Sequence, residues 1–176
     1  MNIPNQLSTL RVLLVPIFVA ALFYFPQHAA AIFFVACATD AVDGYLARLW
    51  NEKTTLGTYL DPVADKLLLL SGFMGLSFMQ HLPDSMRIPV WVTIAVISRD
   101  AIILIGSVMI FIVTGKLKAE PRMVGKVTTA LQMMTLFFVL LGFGEPLRKF
   151  LLGATFILTV ISGFVYLRIG GRLLGA

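Results

Sequence analysis

Six long apolar runs, each closed by a short polar break, leave this chain few ways to fold. They cover about 8–25, 29–48, 58–80, 89–113, 124–142 and 147–168. Each has roughly 17–25 residues, the length at which a helix crosses about 30 Å of hydrocarbon. The breaks hold Pro26-Gln27-His28, Asn51-Glu52-Lys53, Pro83-Asp84, Gly115 to Pro121, and Gly142 to Pro146, all helix-stopping punctuation. Charge is sparse: 13% of 176 residues, with 59% apolar and a mean hydropathy of +0.92. A water-soluble domain would carry about a quarter charged residues. The expected fold is therefore all-α, a polytopic integral membrane protein with six transmembrane helices, residues 1–176 forming a single transmembrane domain. The sequence shows no soluble module, low-complexity tract or repeat, and no nucleic-acid partner is expected. Arg11 ahead of an apolar run imitates a secretory signal, but no small-residue cleavage site closes that run, so it is read as the first span. The preceding Asn2-Ile3-Pro4-Asn5 reads as an interfacial lead-in.

Placement of the basic residues sets the expected orientation. Arg11, Arg48, Lys53, Lys66, Lys116, Lys118, Arg122, Lys126, Arg168 and Arg172 fall on one side. Only Arg87, Arg148 and Lys149 fall on the other, and Arg99 lies inside the fourth span. By the positive-inside rule, both termini and the junction of spans two and three face the cytoplasm.

That junction holds four of the six aspartates. Asp40, Asp43, Gly44 and Ala47 follow i, i+3, i+4, i+7 and share one helical face, flanked by Arg48. Gly57, Asp61 and Asp65 repeat at steps of four. A bare aspartate in a span costs roughly 2.5–3.5 kcal/mol, so four of them call for compensation. Three readings compete. The carboxylates could pair with Arg48, Lys53 and Lys66 at the interface; they could form a cation or proton pathway, as in transporters; or their hard oxygens could hold one or two divalent cations, Mg²⁺ or Mn²⁺, that grip a phosphorylated substrate. The third reading also gives purpose to Gly44, Ala47 and Gly57, which clear space, and to Arg48, whose planar fork suits phosphate oxygens.

The stretch Asp40 to Asp65 reads D-x-x-D-G-x-x-A-R, eight residues, G-x-x-x-D-x-x-x-D. It resembles the signature of the CDP-alcohol phosphatidyltransferases at every fixed position. The likeness extends to N-I-P-N-Q-L-S-T-L-R at the start, L-D-P-V-A-D-K, and I-S-R-D at 97–100. The resemblance implies Asp40, Asp43 and Asp61 as metal ligands, with Asp65 as a further ligand and the general base. It implies Gly44, Ala47, Arg48 and Gly57 as the pocket for the cytidine nucleotide and diphosphate of CDP-diacylglycerol. It further implies a homodimer, the inner membrane of a bacterium, and a phosphatidyl transfer to a glycerol-type hydroxyl that releases CMP.

The acceptor is read from spans four and five. Ser98-Arg99-Asp100 is a polar triplet deep in span four; Arg99 either pairs with Asp100 and its neighbours or binds an acceptor phosphate. Arg122 and Lys126, beside Pro121, are the other candidate acceptor contacts. Within the family, the branch that uses glycerol 3-phosphate usually shows S-R-E, a further Arg nine residues after that serine, and G-K-x-K-T-x-x-Q. Here Asp100, Ser107 and Gly125-Lys126-Val127-Thr128-Thr129, leading to Gln132, stand in those places, two basic groups short. The CMP-forming cardiolipin synthases, which use phosphatidylglycerol, look closer, with S-R-D and a proline ahead of K-x-[N/T]-T-x-x-Q. Phosphatidylglycerol is thus the expected acceptor and glycerol 3-phosphate the alternative. His28 and His81 read as outer loop residues, Cys37 as packing, Trp50 and Trp91 as interfacial belts, and Gly106, Gly142 and Gly163 as points of close helix contact.

Overall fold

The computed structural model describes residues 3–50, 55–114 and 123–174, with side chains for 12–39, 63–113 and 123–171. Six α-helices follow in order: α1 Ile3–Tyr24, α2 Pro26–Trp50, α3 Thr55–Phe78, α4 Val90–Thr114, α5 Met123–Leu140 and α6 Glu145–Leu174. One 3₁₀ turn, Asp84–Met86, sits between α3 and α4, and the described residues contain no strand. Helix limits agree with the apolar runs to within a few residues, with two exceptions. The lead-in is already helical from Ile3, and α6 continues past Arg168 to Leu174. Asp84–Val113, Met123–Leu140 and Glu145–Gly171 are long and apolar enough to cross a membrane; Val12–Tyr24 and Pro26–Thr39 are shorter apolar stretches.

Punctuation in the sequence translates into specific geometry. Between α1 and α2 only Phe25 is non-helical: its N–H reaches Ala21 O at 2.8 Å, and its carbonyl accepts from His28 N–H at 2.9 Å. Pro26 takes the first position of α2, where its missing N–H leaves nothing unpaired. At the end of α5, Gly142 adopts φ +67°. Its N–H bonds Val139 O at 3.0 Å, and the Phe143 N–H bonds Phe138 O at 3.4 Å, the two reverse bonds of a Schellman cap. The Phe138 and Phe143 rings close that cap at 5.1 Å. Gly142 is therefore a left-handed terminator rather than the helix-contact glycine expected, because only glycine holds that φ without steric cost.

The chain falls into two compact units, residues 1–87 with 136–143, and residues 88–135 with 144–176. In the first, α1 packs on both α2 and α3. Phe18, Leu22, Phe33, Phe73 and Leu76 are buried there, and the Phe18 and Phe33 rings meet at 5.7 Å. Two glycines of α3 set the approach distance. A Cβ on Gly75 would stand 2.8 Å from Leu22 Cδ1, and one on Gly72 would stand 2.7 Å from Leu136 Cδ2. At the far end His81 Nε2 lies 3.2 Å from Leu22 O, with its ring 4.9 Å from Phe23. Arg87 ties the following loop, donating to Leu82 O at 3.1 Å and to Gln80 O while pairing with Asp84 at 3.1 Å.

In the second unit α4 packs on α6. Gly163 serves close contact as expected, since its Cβ position lies 3.9 Å from Arg99 Cβ; a Cβ on Gly106 would meet no atom of another described segment within 4 Å. Trp91 meets Phe156 edge-on at 4.8 Å and is half exposed, as an interfacial aromatic would be. The interior differs in kind from that of the first unit. Thr93, Arg99, Thr128, Gln132, Thr135, Thr155, Thr159 and Ser162, every buried polar residue among the described ones, belong to this unit.

Candidate active site

Unbroken helix from Asp40 to Arg48 and from Gly57 to Asp65 gives the aspartate motif its geometry. On α2, the positions of Asp40, Asp43, Gly44 and Ala47 recur at helical spacing and share a face; on α3, Gly57, Asp61 and Asp65 do the same. The side chains of Asp40, Asp43, Gly44, Ala47, Arg48, Gly57 and Asp61 lie outside the described residues. Asp65 is described: it is half-buried, like Lys66 beside it, between fully buried Ala64 and exposed Leu67. Among the described residues no three metal-ligating side chains come together, three of the four aspartates falling beyond them. As chemistry the donor set fits a hard divalent cation: four carboxylates, two from each helix, with small residues among them and no soft ligand.

The polar triplet of α4 is resolved atom by atom. Arg99 is 5% exposed, and a bare guanidinium at such a place would cost about 2.5–3.5 kcal/mol. It is compensated on three sides. Nη1 donates to Asp100 Oδ1 at 2.7 Å, Nε to Ser162 Oγ at 3.2 Å, and Nη2 to the carbonyl of Gly125 at 3.2 Å. The ring of Tyr166 lies 5.9 Å from the guanidinium carbon, within cation–π range. Three helices thus meet at one side chain: Arg99 and Asp100 from α4, Gly125 from α5, Ser162 and Tyr166 from α6. Gly125 is buried, and a Cβ there would stand 2.5 Å from the Tyr166 hydroxyl. Lys126, next along α5, is exposed, and Arg122 lies outside the described residues. An apolar cleft of about 180 Å³ runs beside the node, lined by Ala95, Ser98, Ile102 and Arg99 of α4 and by Thr159 and Gly163 of α6, among others.

Below the node a hydroxyl seam joins α5 and α6. Gln132 Nε2 donates to Thr159 Oγ1 at 3.0 Å, Thr135 and Thr155 share a bond of 2.7 Å, and Thr128 Oγ1 lies 3.4 Å from Leu158 O. Ser162, Tyr166 and this seam were not singled out from the sequence. The signal was there: Thr155, Thr159, Ser162 and Tyr166 fall at i, i+4, i+7, i+11 in an otherwise apolar helix, a polar stripe that needs a partner.

Comparison with known proteins agrees with the motif. A family model described as CDP-alcohol phosphatidyltransferase matches residues 1–161. A Haemophilus influenzae protein named CDP-diacylglycerol–glycerol-3-phosphate 3-phosphatidyltransferase is 36% identical over 98% of this chain and 96% of its own length. An Escherichia coli K12 protein of the same name is 36% identical over 79% of this chain and 76% of itself. A Mycobacterium tuberculosis protein named probable phosphatidylglycerophosphate synthase is 35% identical over 94% of this chain and 79% of its own length. These names favour glycerol 3-phosphate over the phosphatidylglycerol expected from the S-R-D triplet.

Proposed function

Because the chain belongs to the CDP-alcohol phosphatidyltransferase family, as a membrane-embedded enzyme of that class, we propose that it transfers the phosphatidyl group of CDP-diacylglycerol to a hydroxyl of glycerol 3-phosphate, releasing CMP. The observation that carries this reading is the pair of helical faces, two aspartates on each, within a chain whose full-length relatives are named for that acceptor. Asp40, Asp43, Asp61 and Asp65 would hold one or two divalent cations, Mg²⁺ or Mn²⁺, whose charge would offset that of the diphosphate and of departing CMP. Asp65 takes the proton from the acceptor hydroxyl. The acceptor oxygen then bonds to the phosphatidyl phosphorus as the bond from that phosphorus to the CMP oxygen breaks, its electron pair leaving with CMP. Gly44, Ala47 and Gly57 leave room for the nucleotide, and Arg48 donates to its diphosphate. Arg122 and Lys126 hold the acceptor phosphate, with the buried Arg99 node next to Lys126 at Gly125.

The remaining assignments follow the charge pattern and the family. The chain acts as one transmembrane domain, paired as a homodimer, in a bacterial inner membrane with the aspartates toward the cytoplasm. That side is where water-soluble glycerol 3-phosphate is supplied and where CMP is released. Phosphatidylglycerol stays as the second reading because Asp100 and Ser107 replace groups that the glycerol 3-phosphate branch usually carries. Ser107 in fact donates back to Ile103 O at 2.7 Å. Purified protein supplied with CDP-diacylglycerol and each acceptor separately decides between them. CMP release with glycerol 3-phosphate and not with phosphatidylglycerol is the expected result; the reverse selectivity would overturn the acceptor, and transport activity with no CMP from either would overturn the reaction.

A further inference from the structure

We propose that Arg99 is a positioning residue, which fixes the first turn of α5 and thereby the place of Lys126, without itself touching the acceptor. The inference rests on the reading that Lys126 contacts the acceptor phosphate. A phosphate-binding arginine needs free donors aimed outward and an unspent charge. Arg99 has neither in quantity. All three of its nitrogens are bonded within the protein, its charge is met by Asp100 at 2.7 Å, and it is 5% exposed. The cleft it borders is lined chiefly by apolar groups, which offer nothing to a dianion.

What Arg99 does grip is backbone. Gly125 is the third residue of α5, and its carbonyl accepts from Arg99 Nη2 at 3.2 Å and from Thr129 Oγ1 at 3.1 Å. Ser162 orients the guanidinium from α6, and Tyr166 packs over it with its hydroxyl against Gly125. The absence of a side chain at 125 is what lets that hydroxyl and the Arg99 tip share the space, because an added Cβ would stand 2.5 Å from the first and 3.3 Å from the second. Lys126 is the adjacent residue and points away into the open, so its position follows from how firmly residue 125 is held. The functional consequence is specificity by geometry: the node sets where a cation stands, and the cation reads the acceptor.

The test measures CMP release by the purified enzyme and separates KM for glycerol 3-phosphate from KM for CDP-diacylglycerol. Lys126→Ala sets the reference, with an acceptor KM raised about tenfold. Ser162→Ala and Arg99→Lys are expected to raise the same KM about three- to tenfold while KM for CDP-diacylglycerol stays within about twofold. Neither should add appreciably to Lys126→Ala, since both act through that residue. Gly125→Ala should show the same defect, and Gly125→Ala with Tyr166→Phe should recover most of it, because the second change removes the oxygen that the new Cβ meets. Ser162→Ala adds no bulk and carries the test if Gly125→Ala does not fold. An unchanged acceptor KM in Lys126→Ala overturns the reading of Lys126 and the inference with it. A defective Lys126→Ala beside unchanged Ser162→Ala and Gly125→Ala overturns the inference alone, as does an Arg99→Lys defect that adds fully to Lys126→Ala.

Discussion

Single glycines in this chain do three different jobs, and the sequence alone does not separate them. Gly142 ends α5 in the left-handed region, whereas Gly72 and Gly75 let side chains of other helical segments press onto α3, and Gly125 makes room for a tyrosine hydroxyl. Each is a glycine in an apolar setting, and what distinguishes them is the neighbour, which arrives from tens of residues away. Gly142→Ala is expected to destabilise the protein by about 1–2 kcal/mol, the cost of left-handed backbone for a residue with a Cβ. Unfolding titration in mixed micelles checks it, and a loss near zero would show that the cap relaxes. Gly72→Ala should cost more than Gly106→Ala, since the first meets Leu136 at 2.7 Å and the second meets open space. The same titration ranks the pair. The shared faces of the aspartate motif were legible where the glycines were not, because they follow from local spacing along a helix and need no knowledge of what packs against it.

At the level of elements, the long apolar runs fixed the helices because a helix in hydrocarbon must satisfy its own backbone, which leaves length and polarity as sufficient signals. Which helix meets which was not readable in the same way. The hydroxyl seam between α5 and α6 is an example: Thr135 with Thr155 and Gln132 with Thr159 are pairs set by a register that no stretch of either helix announces. A double-mutant cycle with Thr135→Val and Thr155→Val is expected to give a coupling near 0.6 kcal/mol, the scale of interhelical hydrogen bonds in membrane bundles. Coupling of zero would mean that each hydroxyl satisfies itself on its own helix. Gln132 adds a further feature, since its Oε1 is buried with no partner among the described residues. Exchanging the amide's oxygen and nitrogen would only move the unpaired group, so Gln132→Leu should change stability by no more than about 1 kcal/mol, loss of one bond offsetting removal of one orphan.

For the whole molecule, the two units carry interiors of opposite character, aromatic and aliphatic in the first, hydroxyl- and guanidinium-rich in the second. The catalytic aspartates proposed above belong to the first, and the acceptor cations with their buried node belong to the second. The S-R-D triplet is a weak guide to the branch of the family for a physical reason: S-R-D and S-R-E differ by one methylene, and Asp100 closes the Arg99 ion pair, a task either acid can do. Orientation is open to direct test, since a cysteine at Ser85 in a Cys37→Ser background should label from outside intact cells and one at Lys118 only after permeabilisation; the opposite pattern would reverse the proposed topology. The central claim is that two pairs of carboxylates on α2 and α3 together hold divalent cations for the phosphatidyl donor. Mn²⁺ binding, counted from the paramagnetic resonance of free Mn²⁺ with purified protein and CDP-diacylglycerol, tests it most directly. The account predicts tight binding by the unaltered chain, lost in Asp40→Asn and lost equally in Asp61→Asn; undiminished binding in either variant would contradict it.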